Sequence, residues 1–145
     1  WFGPITTRIG GIRMDVSSVS ILTEWDIVAA RQMGRSEAKA IGFGAVDQAR
    51  ITTAISELAR NIYLYAEQGS VTIGRFEKEG KVGIRIVAED YGPGISDVQL
   101  VLQDGYSSSY GLGAGLPGVK RLMDEFDIQT EVGEGTKITI VKWLS

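Results

Sequence analysis

Three groups of residues in this chain have types and spacings that could do chemistry. They are a glutamate and an asparagine at positions 57 and 61, an aspartate at position 90 followed by Tyr-Gly-Pro-Gly, and the stretch GLGAGLPGVKRL at 111–122. The 145 residues include no histidine and no cysteine. The usual general base, the usual zinc ligands and thiol nucleophiles are therefore excluded within the chain, and proton transfer must use carboxylate, lysine or tyrosine groups.

The pair Glu57 and Asn61 lies in a segment that predicts a long helix over about residues 46–68, ended by Gly69. Residues four apart share a helix face, and this pair falls at the border of the apolar stripe. A carboxylate and an amide at that spacing could hold a hydrated magnesium ion together with a water or hydroxyl. The alternative is two polar residues on a solvated helix flank.

Asp90 ends the predicted strand VGIRIVAED at 82–90. Because side chains alternate along a strand, Asp90 lies on the same face as a row of apolar side chains, and that face should pack against the helices. The apolar residues of this face are Val82, Ile84, Ile86 and Ala88. A carboxylate there needs a hydrogen-bond donor from the protein or from a ligand, and Gly92 and Gly94 would let a planar group approach. The alternative is a surface aspartate before a Pro-Gly turn.

The glycine-rich stretch satisfies G-x-G-x-x-G at Gly113, Gly115 and Gly118. A dinucleotide-binding fold is excluded because no strand precedes the motif, and a P-loop is excluded because no G-K-[ST] closes it. What remains is a mobile glycine-rich lid before a helix over about 116–126, with Pro117 in its first turn and free N–H groups facing an anion. The alternative is a flexible loop before a capped helix.

The elements that must position these residues begin with a helix capped by Thr23 and Asp26, with Leu22 and Ile27 as a hydrophobic staple and an end before Gly42. Strands at 70–76 and 82–90 are predicted to form a hairpin that turns at Glu79 and Gly80. A short helix is predicted at 97–103, and a closing hairpin at 127–143 turns at Gly133 to Gly135. Two hairpins favour a mixed, mostly antiparallel sheet with helices on one face, an α/β fold.

Composition indicates a single domain and narrows the partners. A hydrophobic fraction of 43% suits one core, and a net charge of −3 without a basic stripe argues against nucleic acid or anionic lipid as the main partner. No apolar run is long enough to span a membrane. Residues 1–13 do not resemble a secretory signal, because no basic leader is followed by a continuous apolar stretch, so we expect a cytoplasmic protein. We expect residues 1–20 to be an N-terminal extension or a remnant of expression, and residues 21–145 to form the domain.

Four segments, taken together and in order, resemble the nucleotide-binding boxes of the GHKL ATPase and kinase superfamily. They are SELARNIYLYA, EDYGPGI, GLGAGLPGVKRLMDEF and GEGTKITI. Within the superfamily, the chain from about Ile21 onward is similar to the RsbT-type switch kinases of the bacterial stressosome. This resemblance implies a two-layer α/β sandwich, the Bergerat fold, that binds ATP and Mg2+.

The resemblance also implies a role for each candidate residue. Asn61 would coordinate magnesium, Glu57 would act as general base on the attacking hydroxyl, and Asp90 would accept a hydrogen bond from the adenine amino group. Thr136 would support the adenine end, directly or through water. The residues implied to lie against the base are Gly92 and Gly94, and those implied to wrap the phosphates are Gly111, Leu112, Gly113, Ala114, Gly115 and Leu116.

The implied activity is phosphorylation of serine or threonine on STAS-domain partners, followed, after release, by activation of an effector such as a PPM-type phosphatase. One departure from related anti-sigma kinases is that Tyr110 and Gly111 stand where those proteins carry a lid arginine. Arg60, Lys120 or the substrate could supply that cation instead. Two alternatives are an anti-sigma factor kinase that sequesters a sigma subunit, and an adaptor that binds no nucleotide.

Overall fold

The frame of the molecule is a six-stranded sheet with its strands in the order β1-β2-β3-β4-β6-β5. The computed structural model describes residues 4–9, 12–66, 68–95, 102 and 115–145, with side chains from residue 16 onward. None of the three helices in these ranges combines the length and apolar content of a membrane span. The elements are β1 Pro4–Ile9, β2 Ile12–Ile21, α1 Glu24–Ile41, α2 Ala45–Tyr65, β3 Gly69–Lys78, β4 Lys81–Asp90, α3 Gly115–Leu122, β5 Glu125–Glu131 and β6 Gly135–Trp143.

Every pair of neighbouring strands is antiparallel. Helices α1 and α2 pack on β2, β3 and β4 from one side. The prediction of a two-layer α/β sandwich with a mostly antiparallel sheet is confirmed. The predicted turns at Glu79 and Gly80, where φ is 53° and 79°, and at the β5–β6 hairpin are also confirmed.

The core lies between the sheet and the two long helices. The side chains of Ile73, Ile84 and Ile86 are fully buried there, against the apolar stripe of α2. That stripe consists of Ile51, Ala54, Ile55, Leu58, Ala59 and Ile62. Burying each large aliphatic side chain contributes about 1.5–3 kcal/mol, so this interface is the main source of stability.

Helix α1 begins and ends as its sequence predicts. The Asp26 carboxylate accepts the backbone N–H of Leu22 at 2.8 Å and of Thr23 at 2.9 Å, and these bonds hold the pKa of Asp26 below its usual value. At the other end, Gly42 adopts φ 119° and donates its N–H to the carbonyls of Ala38 and Lys39. The predicted staple is wrong in one member, because Leu22 remains 59% exposed.

Two predicted helix ends are wrong, and strand pairing explains both. Helix α2 stops at Tyr65 because Gly69 already belongs to β3, where it pairs with Asp90. Helix α3 stops at Leu122, and Phe126 lies in β5 opposite Ile140. The short helix predicted at 97–103 falls outside the described residues, except for residue 102.

Residues before position 21 take part in the sheet. Strand β2 pairs with β3 over Val16–Ile21, and Ser17, Val19 and Ile21 are buried on the helix side. The predicted boundary after residue 20 therefore falls within a strand. The serines in the stretch DVSSVSI disguise the alternation, because Ser17 occupies an inward position where an apolar residue is the usual signal.

The approach of α1 to α2 depends on Gly34. A Cβ atom at this position would collide with Cδ1 of Ile55 and would lie 3.6 Å from Cδ1 of Ile73. We predict that Gly34→Val lowers the free energy of unfolding by about 1–3 kcal/mol, the cost of overpacking a core. Ala40→Val, at an exposed position on the same helix, controls for the helix propensity of valine. Denaturant unfolding measures both, and equal losses would contradict the packing role of Gly34.

Candidate functional site

The ends of five strands lie side by side at one end of the sheet because the strands are antiparallel. Along this row Ile21 pairs with Gly69, Gly69 with Asp90, and Asp90 with Thr136. The adjoining hairpin pairs Thr130 with Thr136. Residues far apart in the sequence are thereby brought into one row beneath the C-terminal end of α2.

Asp90 lies on the helix side of the sheet, as the alternation predicts. A Cβ atom added to Gly69 would lie 2.9 Å from Cγ2 of Ile62 and 3.0 Å from Cβ of Asp90, so the two side chains border the same space. Oδ1 of the half-buried Asp90 accepts the N–H of Gly92 at 3.0 Å. Within the described residues Oδ2 makes no hydrogen bond. Oδ1 therefore stabilises the turn after β4, and Oδ2 is left to accept a hydrogen bond from a ligand.

The glycines beside Asp90 are required by the protein's own packing. A Cβ atom on Gly92 would lie 2.7 Å from Cβ of Ala66, just past the end of α2. Gly94 adopts φ 77°, and a Cβ there would collide with the carbonyl oxygen of Glu131. Both positions therefore exclude larger residues whether or not a ligand is bound.

Thr136 and Thr130 form a part-buried hydroxyl pair next to Asp90. Thr136 is only 8% exposed, and its Oγ1 lies 2.9 Å from Oγ1 of Thr130. Thr130 also accepts the N–H of Ile95 at 2.9 Å and lies within donating distance of the Gly135 carbonyl, at 3.0 Å. If Thr130 donates to Gly135, Thr136 donates to Thr130 and keeps its lone pairs as acceptors. Sequence reasoning missed Thr130, whose one signal is its register opposite Thr136.

Glu57 lies beside a cavity of about 200 Å³ between α2 and α3. Burial raises the pKa of Glu57 above its usual value, and the nearby positive charge of Arg60 opposes that rise. The cavity is lined by Thr53, Glu57, Gly115, Gly118, Val119, Arg121 and Leu122. This cavity places a carboxylate of raised proton affinity opposite the first turn of a helix.

Asn61 is half-buried one helical turn after Glu57, and its amide makes no hydrogen bond to the described residues. Those residues contain no cluster of three acidic or histidine side chains that could hold a metal by itself. A magnesium ion here would need water and phosphate oxygens as further ligands, which is how magnesium is usually held. At 1.5 Å per residue, Glu57 lies about 14 Å along the helix axis from Ala66, the C-cap residue next to Gly92 and Asp90. The two carboxylates of the candidate site are therefore separated along α2 by roughly this distance.

The first turn of α3 departs in part from the prediction. Gly115 adopts φ 63°, which favours glycine, and Pro117 lies in the first turn as expected. The side chain of Leu116 is 7% exposed and belongs to the hydrophobic core, so only its backbone could face a phosphate. The helix begins one residue earlier than predicted. The other lid residues, Gly111, Leu112, Gly113 and Ala114, lie outside the described residues.

Lys142 of β6 anchors the far end of α3. Its Nζ donates to the carbonyl oxygen of Leu122 at 3.1 Å and lies 3.8 Å from Asp124 and 4.0 Å from Asp47. A cation at a helix C-terminus satisfies an orphan carbonyl and complements the helix dipole. The contacts tie α3 to the start of α2, and so fix both walls of the cavity.

Comparison with known proteins agrees with this geometry. The family described as histidine kinase-, DNA gyrase B-, and HSP90-like ATPase matches residues 46–145. The serine/threonine-protein kinase RsbT of Bacillus subtilis is 65% identical over 90% of this chain and 98% of its own length. An anti-sigma F factor of Caldanaerobacter subterraneus is 29% identical over 66% of this chain and 70% of its own.

A solved structure shares the fold. The crystal structure of the RsbU and RsbW domains of a Mycobacterium tuberculosis protein superposes with a TM-score of 0.56 at 20% identity. The match covers 89% of this chain and 33% of that one. At this identity the likeness concerns the fold alone.

The raised pKa of Glu57 predicts a pH-dependent cost to stability. Because the folded state holds the proton of this carboxyl more tightly than the unfolded state does, ionisation penalises folding once the pH rises through the folded pKa. Glu57→Gln should therefore raise the melting temperature at pH 7.5 and leave it nearly unchanged at pH 4.

The control for this prediction is Glu77→Gln, which removes an exposed carboxylate paired with Arg75 at 2.8 Å. Exposed ion pairs contribute little, so this variant should shift the melting temperature only slightly. Calorimetry at the two pH values tests the claim. A gain for Glu57→Gln that is equal at both would contradict it.

Proposed function

Since the chain belongs to the histidine kinase-, DNA gyrase B- and HSP90-like ATPase family, and among its members to the RsbT-type serine/threonine kinases, we propose that it phosphorylates STAS-domain proteins of a bacterial stressosome. Membership makes the chain an ATP-dependent serine/threonine-protein kinase. The partner and the role of each residue are the proposed part. The observation that carries them is that two carboxylates lie at helix α2: Glu57 is half-buried within it, and Asp90, whose Oδ2 makes no hydrogen bond within the described residues, ends β4 next to its C-terminal end.

Asp90 is proposed to recognise adenine. Its Oδ1 accepts the N–H of Gly92 while Oδ2 has no partner among the described residues, so the carboxylate can accept one hydrogen bond from the exocyclic amino group without losing the turn. Thr136 adds an acceptor on the neighbouring strand, for the same amino group or for a bridging water. Gly92 and Gly94 have no side chains, so they do not block a planar base from approaching the backbone beside Asp90 and Thr136.

Asn61 is proposed as the protein ligand of magnesium. Bound Mg-ATP supplies the phosphoryl group and the charge neutralisation that its transfer requires. Asn61 lies one turn from Glu57, and its amide oxygen has no hydrogen-bond partner among the described residues. Gly111 to Gly115 and the backbone of Leu116 are proposed to enclose the phosphates, with the first turn of α3 contributing N–H groups.

Glu57 is proposed as the general base. Its burial raises its proton affinity, and a base is more effective when its pKa approaches the working pH. The Glu57 carboxylate takes the proton of the attacking serine or threonine hydroxyl. The hydroxyl oxygen then bonds to the γ-phosphorus while the bond from that phosphorus to the bridging oxygen of ADP breaks.

The biological setting is also part of the proposal. The 65% identity to RsbT over nearly its whole length favours a stressosome kinase that, once released, activates an effector such as a PPM-type phosphatase in the cytoplasm. The second candidate is an anti-sigma factor that sequesters a sigma subunit, which the 29% identity to an anti-sigma F factor favours less. Co-purification with a STAS protein or with a sigma subunit separates the two.

Asp90→Asn should abolish measurable binding of Mg-ATP. If the new amide oxygen keeps the hydrogen bond from Gly92, its NH2 group faces the adenine amino group, and two donors cannot pair. Asp127→Asn, on the exposed side of β5, makes the same change in charge outside the site. Titration calorimetry measures both variants, and retained affinity in Asp90→Asn would remove Asp90 from the adenine site.

Glu57→Gln should bind Mg-ATP with nearly wild-type affinity and transfer phosphate about a hundredfold more slowly or worse, which is the usual cost of losing a general base. Radiolabelled ATP and a stressosome STAS protein provide the assay. If the wild-type protein transfers no label to this STAS protein, the proposed substrate is wrong. Incorporation at the wild-type rate in Glu57→Gln would instead overturn the role of Glu57.

A further inference from the structure

Arg60 carries a donor that nothing in the described protein satisfies. Its Nε is buried from solvent and has no hydrogen-bond partner. Buried polar atoms of native proteins are nearly always paired, and an unpaired N–H of a cation is costly to keep. An unpaired donor of this kind calls for a partner beyond the described residues, and a bound ligand can supply one.

The position of Arg60 indicates the chemical class of that partner. Arg60 lies one residue before Asn61 and three after Glu57, whose carboxylate feels its charge. Glu57 in turn borders the cavity whose opposite wall is the first turn of α3, at Gly115 and Gly118. A guanidinium at this place lies beside the carboxylate that would receive the hydroxyl proton, and an anion with several oxygens matches its fork of donors.

The other cations near the cavity are less suited to this role. Lys120 of α3 is exposed to solvent. Arg121 lines the cavity but already has an interaction within the protein. Of the described residues, Arg60 alone has a buried side-chain donor without a hydrogen-bond partner, and its charge acts on Glu57, which lines the cavity.

We propose that Arg60 contacts the phosphoryl group in transit from ATP to the partner's hydroxyl, in place of a cation from the lid. The inference rests on the proposed function. Arg60 exchanges no proton and forms no covalent bond, since Glu57 takes the proton and the phosphorus changes oxygen partners as described above. Arg60 neutralises charge on the phosphoryl oxygens, and its pull on Glu57 is released as that carboxylate is protonated.

The test compares Arg60→Gln and Arg60→Lys with Arg50→Gln. Arg50 lies on α2 in an exposed ion pair with Asp47 at 2.9 Å, so its loss should leave activity unchanged. Affinities for Mg-ATP and Mg-ADP are measured by calorimetry, melting temperatures by calorimetric scans, and transfer by radiolabel. The ratio of ATP to ADP affinity isolates the terminal phosphate, which ADP lacks.

For Arg60→Gln we expect transfer to fall about a thousandfold, within the range for an arginine that stabilises a transferring phosphoryl group. Affinity for ATP should fall about tenfold with that for ADP unchanged, and Arg60→Lys should recover only part of the rate, because ammonium lacks the planar fork. Unchanged transfer, or an equal loss of ATP and ADP affinity with a lowered melting temperature, would overturn the assignment. A wild-type protein that binds neither nucleotide would overturn the proposed function itself.

Discussion

The site depends on how one carboxylate is held at the end of β4. Strand register sets Asp90 between Gly69 and Thr136, and the Gly92 N–H fixes the rotation of its side chain by engaging Oδ1. A side chain at position 69 would press on Asp90 and on Ile62 of α2, so glycine there keeps the carboxylate in place on the helix side. Burying a carboxylate without a partner is costly, and the bond from Gly92 to Oδ1 offsets part of that cost.

Helix α2 serves both the core and the site with different faces. Its apolar stripe packs on β3 and β4 and contributes much of the hydrophobic stabilisation, while Glu57, Arg60 and Asn61 lie outside that stripe. The rigidity of the packed face positions the polar one. A raised pKa at Glu57 and an Nε of Arg60 that has no partner among the described residues are typical of functional groups rather than of groups placed for stability.

Sequence alone predicts the parts of the fold that local periodicity controls. The alternation in β4 placed Asp90 correctly, and the capping residues of α1 located both of its ends. Long-range strand pairing decided the element boundaries that the sequence did not predict. Gly69 and Phe126 were predicted at the ends of helices but belong to strands. The serines of β2 hid the alternation of its inward-facing side chains. Thr130 and the inward turn of Leu116 could not be predicted, because each follows from tertiary register rather than from its neighbours in the chain.

The most direct test of the nucleotide site is a crystal structure with magnesium and a non-hydrolysable ATP analogue. The account predicts the purine against Gly92, with its amino group within hydrogen-bonding distance of the Asp90 carboxylate, and the phosphates extending along α2 toward Asn61 and Glu57. A structure in which Asp90 turns to bulk solvent while the base binds elsewhere would contradict it.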